Sequence, residues 1–215
     1  MRITHPIINI MVKNVLCFGD SNTFGYDPST GGRYPKEARW TNILADLLGE
    51  KYKVFDAGCN NRACFINHVD GEKFIGRKFI DKYKQYDFDV IISALGSNDL
   101  QKAYHPSLEE LETGFKEYLE YLKKSFPKTK IIVLIPPVIS PAVLDTHFRE
   151  LFDEQSVEKS KYLIRIWERV AYDSNCYYLN VSGSTNVSEK DGLHYDTSSH
   201  IIIGHELAKF IEIIE

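Results

Sequence analysis

Ser21 lies in the segment GDSNTFG (residues 19–25), directly after the short apolar run NVLCF. A serine at the carboxyl end of a strand projects from the edge of a sheet, and flanking glycines permit the sharp turn that exposes it. Ser21 is therefore a candidate nucleophile. A phosphate-binding loop is excluded, because the segment contains neither GxGxxG nor a following Gly-Lys-Ser/Thr. A Gly-Asp-Ser tripeptide indicates little by itself, so the assignment depends on finding a base for the hydroxyl.

Asp191 and His194 supply that base from a single short segment, DGLH, shortly before the last helical pattern. A serine hydroxyl becomes a good nucleophile when an imidazole removes its proton, and an acceptor must hold the other ring nitrogen in one tautomer. Asp191 and His194 are three residues apart and can provide this acceptor and this base. A histidine near a helix start is usually structural when it stands alone. Its pairing with Asp191 and a candidate serine favours catalysis.

Two further polar segments follow predicted strands. Asn98 lies in GSND, and its carboxamide can donate to the oxyanion of an acyl-transfer reaction, a contact worth about 3–4 kcal/mol. Taken alone, Asn98 fits a turn-forming role equally well. The segment DAGCNNR (residues 56–62) suits a tight loop whose backbone N–H groups point inward, and it is the least specific of the four.

The elements that must position these residues alternate between short apolar runs and longer helical patterns, which predicts a parallel α/β sheet. Strands are predicted at residues 14–18, 52–57, 89–95, 130–135 and 176–181. Helices are predicted at residues 40–48, 108–126, 157–172 and 201–214. Residues 26–39 and 136–156 have no regular pattern and follow strands, so they are candidate pocket walls. A surface loop without function is equally compatible with them.

All four polar segments fall at the carboxyl ends of predicted strands or in the loop after the last strand. Ligand sites of open parallel sheets lie along that edge. The four segments are therefore expected to meet there and to perform acyl transfer, with Ser21, His194 and Asp191 as the catalytic group.

At these residues the sequence resembles the SGNH (GDSL-type) hydrolase family, whose four blocks appear in order as GDSNTFG, AGCNN, GSND and DGLH. Within that family, ARWTNILADLLG, FDAGCNNRA, GSNDLQKAYHPS and IPPVISP are similar to the arylesterase and acyltransferase/perhydrolase branch. The resemblance implies a three-layer α/β/α sandwich with five parallel strands in flavodoxin-like topology. It implies no metal and no organic cofactor.

The resemblance also implies the role of each site residue. Ser21 is the nucleophile, His194 the general base and Asp191 its orienting partner. The oxyanion hole combines the backbone N–H of Ser21, a backbone N–H of the second block and the Asn98 side chain. The glycine expected in the second block falls at Asn61, which tolerates a left-handed backbone, and Gly58 is the alternative donor. Asn22 replaces the family's usual leucine, a change expected to leave the chemistry intact.

The length of 215 residues favours one domain over the whole chain. Met11 opens a second plausible start, so residues 1–12 are expected to be an N-terminal extension. The net charge of −4, from 26 basic and 30 acidic residues, indicates no nucleic-acid partner. No apolar segment is long enough for a membrane span, and the first residues do not form a signal peptide. We expect a cytoplasmic protein with a small ester as its partner.

Four scattered cysteines without a C-x-x-C pair argue against a disulfide framework and favour a reducing compartment. They are Cys17, Cys59, Cys64 and Cys176. A metal site at Cys59, Cys64 and His68 is disfavoured, because a second pair of ligands is missing.

The leading hypothesis is a serine esterase or acylhydrolase for small or short acyl groups, with acyl transfer to an alcohol as a further activity. A carbohydrate O-acetylesterase, or a lysophospholipase or thioesterase, would use the same catalytic group with different pocket walls. A non-catalytic binding protein is disfavoured, because binding does not require all three catalytic side chains. Members of this branch often assemble, so a homo-oligomer is also expected.

Overall fold

The computed structural model describes residues 11–67 and 70–215. A five-stranded, entirely parallel sheet lies at its centre, in the order β2-β1-β3-β4-β5. The strands are β1 Lys13–Gly19, β2 Tyr52–Gly58, β3 Val90–Ala94, β4 Lys130–Leu134 and β5 Tyr177–Leu179. The five predicted runs are all strands, and the expected topology is confirmed. β5 is the shortest strand and lies at one edge of the sheet, where it pairs with β4.

Helices connect the strands. Within the described residues they are α1 Ser21–Phe24, α2 Trp40–Leu48, α3 Gly76–Phe79, α4 Leu108–Ser125, α5 Glu154–Asp173 and α6 Thr197–Ile214. Ser107 and Glu110 begin α4 with a capping box, each side chain accepting the other's backbone N–H. None of these helices combines the length and the apolar character that a bilayer crossing requires.

Two predicted helix starts are wrong, because each helix begins before its first apolar residue. α5 begins at Glu154 and is capped by Asp153. The Asp153 carboxylate accepts the backbone N–H of Ser156 at 2.9 Å, and the Ser156 hydroxyl accepts the backbone N–H of Asp153 at 3.2 Å. α6 begins at Thr197, capped by the side chain of Asp196. Polar caps satisfy the free N–H groups of a first turn, so they set the start before the apolar stripe begins.

The two stretches without a predicted pattern contain short 3₁₀ turns. Across residues 11–67 and 70–215, the 3₁₀ turns are Lys36–Ala38, Gly49–Lys51, Glu72–Phe74, Ile80–Tyr83, Ser97–Leu100, Pro141–Asp145 and His147–Glu150. The short helix α3 and the turns on either side of it were not predicted. Single turns are too short to produce a recognisable periodicity in the sequence.

Both faces of the sheet are covered, as the nearly continuous apolar strands require. On one face Leu16 belongs to a core that includes Phe115 of α4. On the other face Val15 belongs to a core with Leu44 of α2 and Leu207 of α6. These residues are completely buried. The three-layer α/β/α sandwich is thereby confirmed.

The strand order places a crevice at the carboxyl ends of β1 and β3, where the chain turns to opposite sides of the sheet. α1 lies directly against this edge. A Cβ at Gly19 would stand 2.0 Å from Thr23 Oγ1, and a Cβ at Gly58 would stand 2.1 Å from Phe24 N. Only residues without a side chain permit this approach, so the two glycines let α1 sit on the strand ends.

Candidate active site

Ser21 is the first residue of α1, at the carboxyl end of β1. Asp20 caps the helix by accepting the backbone N–H of Asn22 at 2.9 Å. The Trp40 indole donates to the backbone oxygen of Asn22 at 3.1 Å, which ties α1 to the start of α2. Ser21 is 8% exposed, so the residue is largely covered by its neighbours.

Asp191 and His194 lie together in the turn before α6. His194 Nδ1 is 2.7 Å from Asp191 Oδ2, and His194 Nε2 is 2.8 Å from Ser21 Oγ. An ionised carboxylate only accepts hydrogen bonds, so Nδ1 carries the proton and Nε2 is free to accept one from Ser21. The three side chains assigned from the sequence are therefore within hydrogen-bonding distance in the order that acyl transfer requires.

The Asp191 carboxylate is fixed by more than the imidazole. Its Oδ1 accepts the backbone N–H groups of Leu193 and His194, both at 3.0 Å. Burial alone would raise the pKa of Asp191, but the hydrogen bonds from His194 and from these two amides outweigh it and hold the pKa below its ordinary value. Asp191 is consequently ionised at neutral pH and oriented before substrate arrives.

Asn22 has a positioning role that the sequence did not indicate. Its Oδ1 accepts the backbone N–H of Tyr195 at 2.9 Å, and its Nδ2 donates to the backbone oxygen of Leu193 at 3.4 Å. These two residues stand on either side of His194. The asparagine, in the place of the family's usual leucine, thus adds two hydrogen bonds between the turn that carries Ser21 and the turn that carries His194. A buried carboxamide must find hydrogen-bond partners, and for Asn22 this requirement was the one signal in the sequence that could have indicated the positioning role.

Asn61 and Asn98 approach each other across the ends of β2 and β3. Asn61 adopts φ +66°, the left-handed conformation expected for an asparagine in a glycine position. Asn98 Nδ2 donates to the backbone oxygen of Arg62 at 3.1 Å. The backbone N–H of Gly58 is already engaged, since it donates to Asp56 Oδ1 at 3.1 Å. No protein acceptor within the described residues takes the backbone N–H of Ser21 or Asn61.

Arg62 was not singled out from the sequence, yet it holds the second block in place. Its guanidinium is buried between the rings of Phe18 and Phe79, 4.6 Å from each ring centre. It donates to the backbone oxygens of Gly19 at 3.1 Å and Ala57 at 2.6 Å. Charged residues are rarely buried, so composition gives no warning of such a position.

Asp99 joins the turn after β3 to the loop that follows the second block. Its carboxylate accepts the backbone N–H groups of Cys64, Phe65 and Ile66 at 2.6–3.3 Å. Burial raises the pKa of Asp99 to about 6, against the lowering effect of these hydrogen bonds. The loops that carry Asn61 and Asn98 are therefore linked by buried polar contacts.

Aromatic rings from both candidate wall segments surround the imidazole. The Tyr26 ring lies 4.2 Å from that of His194, and the Phe148 ring lies 5.2 Å from it, between ring centres. Tyr26 and Phe148 also meet each other edge to face at 5.8 Å. The two segments thus each contribute a wall to the crevice beside the base.

Within the described ranges, no three His, Cys, Asp or Glu side chains come together as a metal site. Cys59 and Cys64 are free thiols. His68, the third ligand considered with them, lies outside the described residues, as do residues 1–10 of the expected extension.

The model of the GDSL-like lipase/acylhydrolase family matches residues 15–207. No curated protein matches the sequence. A similar solved structure is Est24, a carbohydrate acetylesterase from Sinorhizobium meliloti, with 26% identity, a TM-score of 0.87, and 94% of this chain and 100% of that one covered. A putative arylesterase from Agrobacterium tumefaciens str. C58 has 28% identity, a TM-score of 0.81 and coverages of 95% and 100%.

The aryl esterase of M. smegmatis, at 23% identity, has the same fold, with a TM-score of 0.87 over 95% of this chain and 100% of that one. The family match extends over most of the chain and includes every block that carries the site. The chain therefore belongs to the GDSL-like lipase/acylhydrolase family and is a hydrolase of ester bonds.

Proposed function

We propose that the protein cleaves carboxylic esters of small or short acyl groups through an acyl-enzyme on Ser21. Ser21 Oγ attacks the ester carbonyl carbon while its proton passes to His194 Nε2. The tetrahedral intermediate collapses as His194 returns that proton to the leaving alcohol oxygen, and the C–O bond of the ester breaks. Water then attacks the acyl-enzyme by the same proton transfers, which releases the acid and restores Ser21.

The oxyanion of each tetrahedral intermediate is assigned to three donors. They are the backbone N–H of Ser21, the backbone N–H of Asn61 and the Asn98 carboxamide. The first two donate to no protein acceptor within the described residues, and Asn98 Nδ2 has a second hydrogen beyond the one given to Arg62. Gly58 is the weaker candidate, because its N–H is occupied by Asp56. Prepositioned donors stabilise the developing charge without reorganising during the reaction.

The observation that carries this proposal is the continuous hydrogen-bonded series from Asp191 through His194 to Ser21. A binding protein gains nothing from an ionised, buried carboxylate aligned on an imidazole that faces a hydroxyl. Burying that carboxylate costs free energy unless the hydrogen bonds offset the cost, so the arrangement is best explained by catalysis.

The test is a Ser21→Ala variant assayed for p-nitrophenyl acetate hydrolysis. We expect kcat to fall by more than about 10⁴-fold, as losses of a triad nucleophile do. Ser184→Ala is the matched control, because Ser184 is exposed on the turn after β5, and its activity should equal that of the wild type. An organophosphonate should label the wild type stoichiometrically and leave Ser21→Ala unlabelled. Activity near wild type in Ser21→Ala would reject the nucleophile, and absent labelling of the wild type would favour a binding protein.

A carbohydrate O-acetylesterase is the second candidate, favoured by the similarity to Est24. The same three side chains would act, and the choice of ester would depend on the walls that carry Tyr26 and Phe148. A substrate panel separates the candidates, with p-nitrophenyl esters of increasing acyl length, phenyl acetate, acetylated sugars, a lysophospholipid and an acyl thioester. Adding a primary alcohol to the same reactions measures acyl transfer against hydrolysis.

We also propose a cytoplasmic location and a homo-oligomeric state. All four cysteines are free thiols, and Cys17 and Cys64 are completely buried, which agrees with a reducing compartment. Cell fractionation followed by gel filtration with light scattering tests both statements. Recovery outside the cytoplasm or a monomeric mass would contradict them.

A further inference from the structure

Gln101 stands between the two asparagines of the assigned oxyanion hole. It follows the 3₁₀ turn Ser97–Leu100 and is 3% exposed. Its Nε2 donates to Asn98 Oδ1 at 3.0 Å and to Asn61 Oδ1 at 2.5 Å. One carboxamide thus uses both of its hydrogens on two side chains that come from different strand ends.

The direction of these hydrogen bonds follows from a backbone group. Asn98 Nδ2 lies 3.1 Å from the backbone oxygen of Arg62, and a carbonyl oxygen only accepts. Nitrogen therefore faces Arg62, and the Asn98 oxygen faces Gln101. Gln101 must then present its nitrogen, which leaves the Asn61 oxygen as the acceptor of its second hydrogen. The orientation of all three carboxamides is determined by one carbonyl group.

We propose that Gln101 is the positioning residue of the oxyanion hole, an inference that rests on the function proposed above. By holding Asn98 Oδ1, it keeps the remaining Nδ2 hydrogen directed away from itself and toward the crevice. By holding Asn61 Oδ1, it stabilises the left-handed backbone that orients the Asn61 peptide N–H. Gln101 does not touch the substrate, and it acts through the two donors.

This role also explains why an asparagine replaces the expected glycine at position 61. A left-handed backbone is costly for most residues, and asparagine tolerates it better than the others. The contact with Gln101 gives the asparagine side chain a partner that glycine lacks. The second and third blocks are thereby coupled through a residue that belongs to neither.

Two substitutions at Gln101 separate positioning from simple support of the fold. Gln101→Met keeps the length and removes both donated hydrogen bonds. Gln101→Glu keeps the shape but presents only acceptors to the two asparagine oxygens. Asn98 must then rotate to donate to the new carboxylate, which places its oxygen at the former Nδ2 position, facing the backbone oxygen of Arg62, and removes the oxyanion donor. The glutamate variant is therefore expected to lose more activity than the methionine variant.

The experiment measures transition-state binding against ground-state binding. For p-nitrophenyl acetate, we expect kcat of Gln101→Met to fall about 10–100-fold, a part of the 10²–10³-fold cost of losing one oxyanion donor. The affinity for a benzyl trifluoromethyl ketone, which forms an anionic adduct with serine, should fall by a similar factor. The affinity for the matching benzyl methyl ketone should stay within about threefold, because that ground-state analogue does not develop the charge.

Gln85→Met is the matched control, because Gln85 is exposed and its side chain donates a hydrogen bond to the nearby backbone oxygen of Lys82. It should behave as the wild type in every assay. Thermal unfolding of each variant establishes that the fold is retained. If both ketones lose affinity equally in Gln101→Met, Gln101 is only structural and the inference is rejected.

A double-mutant cycle with Asn98→Ala distinguishes failure of this inference from failure of the proposed function. If Gln101 acts through Asn98, Gln101→Met should cost clearly less in the Asn98→Ala background than in the wild type. Equal cost in both backgrounds would overturn the inference while leaving the oxyanion hole intact. Wild-type activity in Asn98→Ala would instead overturn the assigned donor and the role of Gln101 with it.

Discussion

Asp191→Asn is expected to abolish most activity while leaving the shape of the site unchanged. Asp191 Oδ1 accepts two backbone N–H groups, so the introduced amide must place its oxygen there and its nitrogen opposite His194 Nδ1. Nδ1 must then accept, and the imidazole proton moves to Nε2. In that tautomer Nε2 donates toward Ser21 and can no longer take its proton.

The size of the expected fall in kcat follows from the free-energy cost of keeping the His194 proton on Nδ1, the tautomer that catalysis needs, in the Asp191→Asn variant. The Nδ1–H of His194 and the introduced amide N–H would face each other as two buried donors without an acceptor. Each such donor costs about 1–3 kcal/mol, so the pair costs about 4 kcal/mol. Since about 1.4 kcal/mol corresponds to a factor of ten, kcat should fall about 10³-fold.

The assay is steady-state hydrolysis of p-nitrophenyl acetate, with Ser21→Ala prepared in parallel to set the background. Asp46→Asn, on the exposed side of α2, is the matched control and should keep wild-type kcat. Nitrogen-15 NMR of labelled histidine reports the tautomer of His194 directly. A folded Asp191→Asn protein with kcat within tenfold of wild type, or with the proton still on Nδ1, would refute this reasoning.

Three further predictions concern residues around the site. Asn22→Leu removes both contacts that flank His194, so kcat for p-nitrophenyl acetate should fall about 10–100-fold with the fold retained. Arg62→Met removes the hydrogen bonds from the guanidinium to the backbone oxygens of Gly19, Ala57 and Lys73, and urea unfolding should show a loss of about 3 kcal/mol. Burial lowers the pKa of His200 from 6.5 to about 4, so the contribution of this side chain to folding stability decreases by about 3 kcal/mol as the pH falls across that interval. His200→Asn, which keeps an acceptor for the Trp40 N–H, should remove this dependence in urea unfolding at several pH values.

Specific results would contradict each of these. Unchanged kcat in Asn22→Leu would mean that the turn carrying Asp191 and His194 keeps its position without the contacts from Asn22. An Arg62→Met protein as stable as the wild type would show that water replaces the guanidinium. An unfolding free energy of His200→Asn that changes between about pH 6.5 and 4 just as that of the wild type does would show that His200 makes no such contribution.

The sequence was sufficient for the elements with strong local signals. Apolar runs gave the five strands, and because parallel strands share one carboxyl edge, Ser21, Asn98 and His194 could be placed together. The capping box of Ser107 and Glu110 has the usual serine and glutamate, so it can be recognised in the sequence. That of α5 was missed, because serine stands at the position where glutamate or glutamine is expected.

The contacts that orient the catalytic groups could not be predicted, because they depend on the register between segments distant in sequence. Gln101 meets Asn61 across 40 residues, and Asn22 meets Tyr195 across 173. The burial of Arg62 was unpredictable for another reason. A single guanidinium has no periodic pattern, and its place between two rings exists only after the loops have packed.

The hydrogen bond between His194 and Ser21 joins residues 173 positions apart. α6 follows His194 directly and packs against α2, so the base reaches the nucleophile only when this late segment has docked. Contacts between such distant residues form slowly during folding. Until then Ser21 is an ordinary alcohol, and a nascent or partly folded chain cannot attack esters. The appearance of esterase activity during refolding would consequently report the docking of α6 rather than the formation of the sheet.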